Sequence, residues 1–474
     1  TSTTAKYDHE GVGESDNGGL WVSGGRDWSS AFYGGWARPA MRAERGYTDE
    51  TLVQELRLVS NETKAGIDWI VGAFYQDQET NVFQNSWNPG MNNFYEACRA
   101  VSPLAGSFIF DSSCSGFWPA GYSGGLTERD FEYARDVSFK EKAIYGELTY
   151  NFTDAFRMTG GFRWFDNKTI NDSIVGFPLV EGWTSSVIPT STDDDSGLLF
   201  KLNASVDVTE EHMIYGTISE GYRRGGANAI PDAGFFAEPN PETVRTFEKD
   251  SVTNYELGLK GDHDNLKYTA SLFYVDWKDP QLNTVTAEWA FFMAANGERA
   301  STQGLEFEAE GYVTDNLHYR VGYTHLRAIL EEDFVNPQTG NVIAESTSTL
   351  PGTPKNVFSF SLDNTWSMGS TLDLVGRVGG YYQSKSENNV DNDSVLNEIH
   401  ESFWLWGSSV SLTAEKWHAT LYAKNLTNEE GVTGSFPEEY WGADTGTFEG
   451  WYGNGNRQFI TQPRTIGLSV GYNF

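Results

Sequence analysis

Nowhere does this sequence approach the roughly 18 consecutive apolar residues that a membrane-spanning helix needs, so a helical membrane protein is excluded. Cations are scarce as well: 33 Lys and Arg stand against 66 Asp and Glu, a net charge of -33. That balance excludes the basic surface that nucleic acid requires. The seven histidines are scattered with none at i, i+4, and no phosphate-cradling glycine loop is present. "GYSGG" at 121–125 matches a nucleophile-elbow pattern, but Ser123 sits in a Gly-rich stretch without the strand and helix such an elbow needs. These absences argue against an enzyme. Cysteine is limited to Cys98 and Cys114, both within an aromatic, Gly- and Ser-rich stretch at 79–130. They are expected to form a disulfide, which places that stretch outside the cytosol, with two buried free thiols as the alternative.

What is abundant is aromatic residue, 15% of the chain, and glycine, 50 in all. The final stretch, "TIGLSVGYNF", puts Ile466, Leu468, Val470, Tyr472 and Phe474 on one face of an extended strand and Thr465, Gly467, Ser469, Gly471 and Asn473 on the other. The same period recurs upstream. Phe200, Leu202, Ala204 and Val206 alternate with Lys201, Asn203, Ser205 and Asp207, and Tyr255, Leu257 and Leu259 alternate with Asn254, Glu256, Gly258 and Lys260. Charge on the second face of so many strands implies a wet interior, because a sandwich core would leave those groups without partners. One face for lipid and one for water, with aromatic residues left over for two interfacial girdles, predicts an all-β, transmembrane, antiparallel β-barrel.

The connections support that reading. Strands pair across very short polar turns near 151–155, 209–212, 261–265, 313–316, 367–369 and 414–416. Between them lie long loops, at roughly 10–49, 79–140, 171–196, 226–250, 281–298, 331–353, 385–400 and 427–462. Short turns on one rim and long loops on the other is the asymmetry of an outer-membrane barrel, and counting back from Phe474 gives about sixteen strands. A passive sixteen-stranded porin is one reading of that count.

Specific segments favour another. "SEGYRRGG" (219–226), "NYELGLKG", "YTASLFYVDW", "STQGLEFEAE" and "AKNLTNEEG", preceded by "VQELRLVS" and "WIVGAFYQDQE", resemble successive barrel segments of the TonB-dependent outer-membrane receptors, in that family's order. The resemblance covers nearly the whole chain from Glu50. It implies a barrel of about 22 strands closed by an N-terminal plug. Neither the plug, nor the motif that contacts TonB, nor about six further strands is found in residues 1–474, so the expectation is a partial barrel belonging to a longer protein. It further implies the outer membrane of a Gram-negative bacterium as location, with lipid and lipopolysaccharide around the barrel and the TonB complex reached through the plug. The cargo implied is a scarce large ligand: a ferric siderophore or other iron chelate by family frequency, an oligosaccharide next. A surface barrel for protein interaction is a further alternative.

Ligand candidates are the loop aromatics interleaved with Gly, Asn and Asp: Trp87, Phe94, Tyr95, Trp289, Phe291, Phe292, Tyr440, Trp441, Trp451 and Tyr452. Such rings stack planar or sugar-ring ligands, and they also simply pack loops together. Strand alternation sends one of Arg223 and Arg224 into the lumen and the other outward; an inward Arg223 would hold an anionic ligand or pair with a plug carboxylate. No cofactor is expected. The acidic stretch around Asp193, Asp194 and Asp195 is either a Ca²⁺ site in an extracellular loop or a solvated acidic surface.

Overall fold

A computed structural model describes residues 1–16, 42–61, 66–87, 89–90, 128–176, 186–233, 237–288, 291–394, 397–436 and 457–473. Sixteen strands form a single antiparallel sheet in chain order. They are β1 (Ser2–Asp16), β2 (Arg42–Val59), β3 (Ile67–Trp87), β4 (Arg129–Asn151), β5 (Phe156–Gly176), β6 (Ser186–Asp207), β7 (His212–Arg223) and β8 (Asp250–His263), then β9 (Leu266–Lys278), β10 (Arg299–Thr314), β11 (Leu317–Leu330), β12 (Asn356–Ser367), β13 (Leu372–Gln383), β14 (Phe403–Ala414), β15 (Trp417–Lys424) and β16 (Thr465–Tyr472). The one helical element among the described residues is a 3₁₀ turn, Pro241–Thr243.

The predicted alternation is the observed one. On β6, Leu198, Phe200 and Leu202 are exposed, as are Tyr255 and Leu257 on β8, while Ile466, Leu468 and Val470 of β16 are each 68% exposed. Apolar side chains turned outward in this way suit hydrocarbon, not water. On the outer face of β12, β13 and β14 the rings of Phe358, Tyr382, Trp404, Phe360 and Trp406 form a cluster, with Tyr382 and Trp404 centred 4.9 Å apart and Trp404 and Trp406 5.5 Å apart. Amphipathic rings gathered on the outer wall match an interfacial girdle. The opposite face is polar and self-paired: Lys201 Nζ lies 3.0 Å from Glu147 Oε1, and Asn203 donates to Thr217 at 2.7 Å.

Every second connection is short, and a hydroxyl shapes three of these turns. Thr153 Oγ1 accepts from the backbone N–H of Ala155 and Phe156, Thr209 Oγ1 from Glu211, and Thr314 Oγ1 from Asn316 and Leu317. A threonine that replaces a turn's missing backbone partner lets the chain reverse within a few residues.

The first three long loops are shorter than the sequence predicted. β1 runs on to Asp16, β3 to Trp87 and β5 to Gly176, while β2 resumes at Arg42, β4 at Arg129 and β6 at Ser186. β4 has 23 residues, against the roughly 9–11 that cross a bilayer. Beyond the lipid both faces of a strand meet polar surroundings, so side-chain alternation fades while the backbone ladder continues. On β5 the outward series Phe162 and Trp164 gives way to Asp166 and Lys168, which marks the upper edge of the apolar band on that side.

A buried apolar cluster sits where the loops meet the upper ends of β10 and β11, apart from the buried Phe139 and Phe165 of the inner wall. Leu282, Ala295, Ala300, Ala328, Leu330, Phe334, Ala344, Leu350 and Val390 form one cluster. Small strand pairs shape it: 281–285 with 292–296, 334–335 with 342–344, and 386–387 with 399–400. Side chains stitch the loops to each other. Asn228 donates to the carbonyls of Val244 and Ala294 and accepts from the N–H of Ala294, Asn392 bonds both backbone groups of Thr349, and Asn388 reaches Ser435.

Candidate functional site

Above the apolar band, the inner faces of β4, β5 and β6 meet the segment that follows β7. Phe139 and Glu141 of β4 stand on the face opposite the exposed Ile144 and Leu148, so they point inward. Arg163 of β5 pairs with Glu141. The Tyr222 hydroxyl donates to Glu141 Oε2 at 3.1 Å and accepts from Asn167 Nδ2 at 3.2 Å. Its ring stacks on Phe165, centroids 3.8 Å apart and planes 7° from parallel. Gly197, directly across the ladder from Phe165, makes the stack possible, since a Cβ there would sit 2.7 Å from the Phe165 ring. Burial, and then the Glu141 charge, push the Tyr222 phenol well above its usual range, so it stays protonated as a donor.

Arg223 and Arg224 do not divide between lumen and exterior. β7 ends at Arg223, and alternation holds only while the chain stays extended. Arg223 Nε donates to both carboxylate oxygens of Asp250, at 3.1 and 3.0 Å, and its guanidinium lies 5.1 Å from the Trp277 ring centre. Asp250 also accepts from Trp277 Nε1 at 2.9 Å and from the Gln281 N–H at 3.2 Å. Burial raises the Asp250 pKa, but the bonds from Arg223, Gln281 and Trp277 outweigh it and hold the carboxyl below its ordinary value. Arg223 is thus tied to its own wall. Arg224 lies 4.0 Å over the inward-facing Phe139 ring. Burial first, then repulsion from Arg135, lower its pKa, and it forms no ion pair with a described residue. Arg135 spends its donors on Asn171 Oδ1, at 3.1 and 2.7 Å. Two guanidiniums without described carboxylate partners therefore share this part of the inner wall.

Of the aromatic candidates, Trp87 belongs to the end of β3 instead of a loop, with the Arg42 guanidinium 5.9 Å from its ring, and alternation puts it on the same face as the exposed Trp69 and Val71. Phe291 packs against Ile230, Val244 and Met293 within the loops, while Phe292 is 53% exposed. Phe94, Tyr95, Trp289, Tyr440, Trp441, Trp451, Tyr452, Cys98, Cys114 and Ser123 lie outside the described residues. Asp193, Asp194 and Asp195 are strand residues of β6, so alternation splits them: Asp194 pairs with Lys168 on the outer face and Asp195 with Lys249 on the inner. Among the described residues no three His, Cys, Asp or Glu side chains gather as a metal site, so any cation here would draw on other oxygens. Phe139, Glu141, Arg163, Asn167 and Tyr222 were not singled out from sequence. Inward parity on β4 and β5 is the one signal for the first four, and Tyr222 shares the parity of the exposed Ile214 and Ile218 of β7, so its strand period does not point to the site.

Residues 1–426 match the family model described as TonB dependent receptor-like, beta-barrel. The pesticin receptor of Yersinia enterocolitica is 29% identical over 171 residues, covering 35% of this chain and 23% of that protein. An uncharacterized TonB-dependent receptor of Haemophilus influenzae is 25% identical over 303 residues, covering 61% of this chain and 77% of that one. In fold, the ferric yersiniabactin uptake receptor of Yersinia pestis has a TM-score of 0.68 at 18% identity, with 92% of this chain and 55% of that chain covered. The chain thus spans less than a quarter of the pesticin receptor's length and little more than half of the solved receptor's.

Proposed function

Because the chain belongs to the TonB-dependent receptor β-barrel family, we propose that it forms the wall of an energised outer-membrane uptake receptor in a Gram-negative bacterium, with an anionic iron chelate as cargo. The family consists of transport receptors, not enzymes. The outward apolar band and its aromatic cluster suit a lipid and lipopolysaccharide surround. Related proteins carry names such as ferric yersiniabactin uptake receptor, and a siderophore receptor of Acinetobacter baumannii has the same fold at a TM-score of 0.63 and 16% identity. Further strands and a plug would complete the barrel and supply the contact with TonB.

The observation that carries the cargo class is Arg224 beside Arg135 on the inner wall, neither in an ion pair with a described residue. A chelate of Fe³⁺ by carboxylates or catecholates carries negative charge, and a half-buried guanidinium binds such oxygens more strongly than a solvated one. The test is radiolabelled iron uptake by the source organism, with and without the receptor, across a panel of ferric chelates, with labelled oligosaccharides as a second panel. The expected result is loss of uptake of one anionic chelate on deletion, at least a tenfold rise in its half-saturating concentration for Arg224→Ala, and no uptake without TonB. Uptake that persists without TonB would identify a passive pore instead, and selective loss of an oligosaccharide would replace the cargo class.

A further inference from the structure

On the inner face of β5 and β6, above the apolar band, a compact group of oxygens has no protein partner. Asn167 lies directly across the ladder from Asp195, and Thr169 from Asp193. Direct partners and next-nearest residues along a strand set these four side chains at the corners of a patch about 5 Å by 7 Å. Asn167 and Thr169 are each 2% exposed. The Asn167 amide nitrogen is committed to the Tyr222 hydroxyl, which fixes its carbonyl oxygen away from that ring. Asn167 Oδ1, Thr169 Oγ1 and Asp195 Oδ2 are all buried without a hydrogen-bond partner. Burying even one such atom unpaired is unfavourable, and three on neighbouring residues is not an accident of packing.

The nearest cation does not satisfy them. Lys249 Nζ donates to Asp195 Oδ1 at 2.6 Å and to the Ser196 carbonyl at 3.4 Å, leaving Oδ2 bare. The segment after β7 shields the patch: a Cβ on Gly225 would sit 3.0 Å from Asp193 Oδ2 and 2.6 Å from the Phe247 carbonyl, so only glycine lets the chain pass this close.

We propose that Asp193, Asp195, Asn167 and Thr169 bind a hard divalent cation of the size of calcium on the inner wall of β5 and β6, beneath the chain at Gly225. Carboxylate, amide and hydroxyl oxygens form the mixed donor set that Ca²⁺ accepts with loose geometry, waters completing its shell, whereas Mg²⁺ demands a tighter octahedron. The site is independent of which ligand is transported. It also explains why the acidic triplet acts as two residues and not three, since Asp194 faces outward to Lys168.

The experiment is calorimetric titration of the EDTA-treated, full-length receptor in detergent with CaCl₂ and, separately, MgCl₂. The expected result is one saturable Ca²⁺ site with a Kd of about 10⁻⁴ to 10⁻³ M, the range of extracellular modules, and at least tenfold weaker Mg²⁺ binding. Asp193→Asn and Thr169→Val should each weaken Ca²⁺ at least tenfold, and Asp194→Asn should leave it unchanged. No saturable binding by the unmodified receptor would overturn the site in favour of buried waters. Equal loss in Asp194→Asn would overturn it in favour of a solvated acidic surface. Should the inner-face variants fail to assemble, the unmodified receptor decides: a thermal midpoint in detergent that Ca²⁺ raises and EDTA lowers again supports the site, and a midpoint indifferent to both refutes it.

Discussion

Gly197 shows how the inner wall depends on one absent methyl group. Its partner Phe165 is 1% exposed and stacked on Tyr222, so the ring has nowhere to retreat from a Cβ 2.7 Å away. Gly197→Ala should therefore overpack the site, with a cost of about 1–3 kcal/mol, read as a lower urea midpoint in detergent. An unchanged midpoint would mean that Phe165 has room to move. At the upper end of β8, Asp250 gives an acid-side prediction. Its carboxyl is held below the usual range in the folded protein, so the stability it contributes is fully present above the unfolded value, about 3.9, and is lost as pH falls through the depressed folded value. Asp250→Asn should flatten the part of the stability profile that falls below about pH 4, measured by urea unfolding at each pH. An unaltered acid limb in the variant would show that another carboxylate governs it.

At the scale of elements, the strands and turns that touch lipid were legible and those above it were not. The hairpins turning near 151–155, 209–212 and 313–316 appear where the sequence put them, because oil on one face forces a period of two and the turns carry Thr, Asp and Asn. Trp87 was read as a loop residue because above the bilayer the period fades, although the ladder of β3 with β2 and β4 continues to it. The site was legible only at its edge. "SEGYRRGG" named Arg223 and Arg224, but Glu141 and Asn167 meet Tyr222 from strands far away in sequence, and nothing local announces that meeting. The loop core is likewise non-local, and it yields its own test. Phe334 is fully buried among residues from several loops, so Phe334→Ala should cost the loops about 3–5 kcal/mol. Hydrogen exchange should then quicken at 281–296 and 334–344 while amides of β8 to β11 keep their protection. Faster exchange throughout would tie the loops to the barrel as one cooperative unit.

For the whole molecule, the sheet order begins at β1 and finishes at β16. Strand edges carry unpaired N–H and C=O groups that hydrocarbon cannot satisfy, so a spanning sheet must close or find further strands. In the proposed receptor it finds further strands. Electron cryomicroscopy of the receptor extracted from its native membrane should count about 22 strands, with β1 and β16 each paired to a strand outside residues 1–474. A ladder joining β1 directly to β16 would instead establish the sixteen-stranded pore.

The location of the apolar core has a thermodynamic consequence. The barrel wall takes its apolar stabilisation from lipid or detergent, whereas Leu330, Phe334 and their neighbours take theirs by leaving water. Only the second kind of burial gives a large heat-capacity increment that water-soluble denaturants oppose directly. Scanning calorimetry in detergent should therefore resolve two heat-absorption events. The earlier one should carry nearly all of the heat-capacity step and shift with urea, and the later one should follow the acyl-chain length of the surrounding amphiphile.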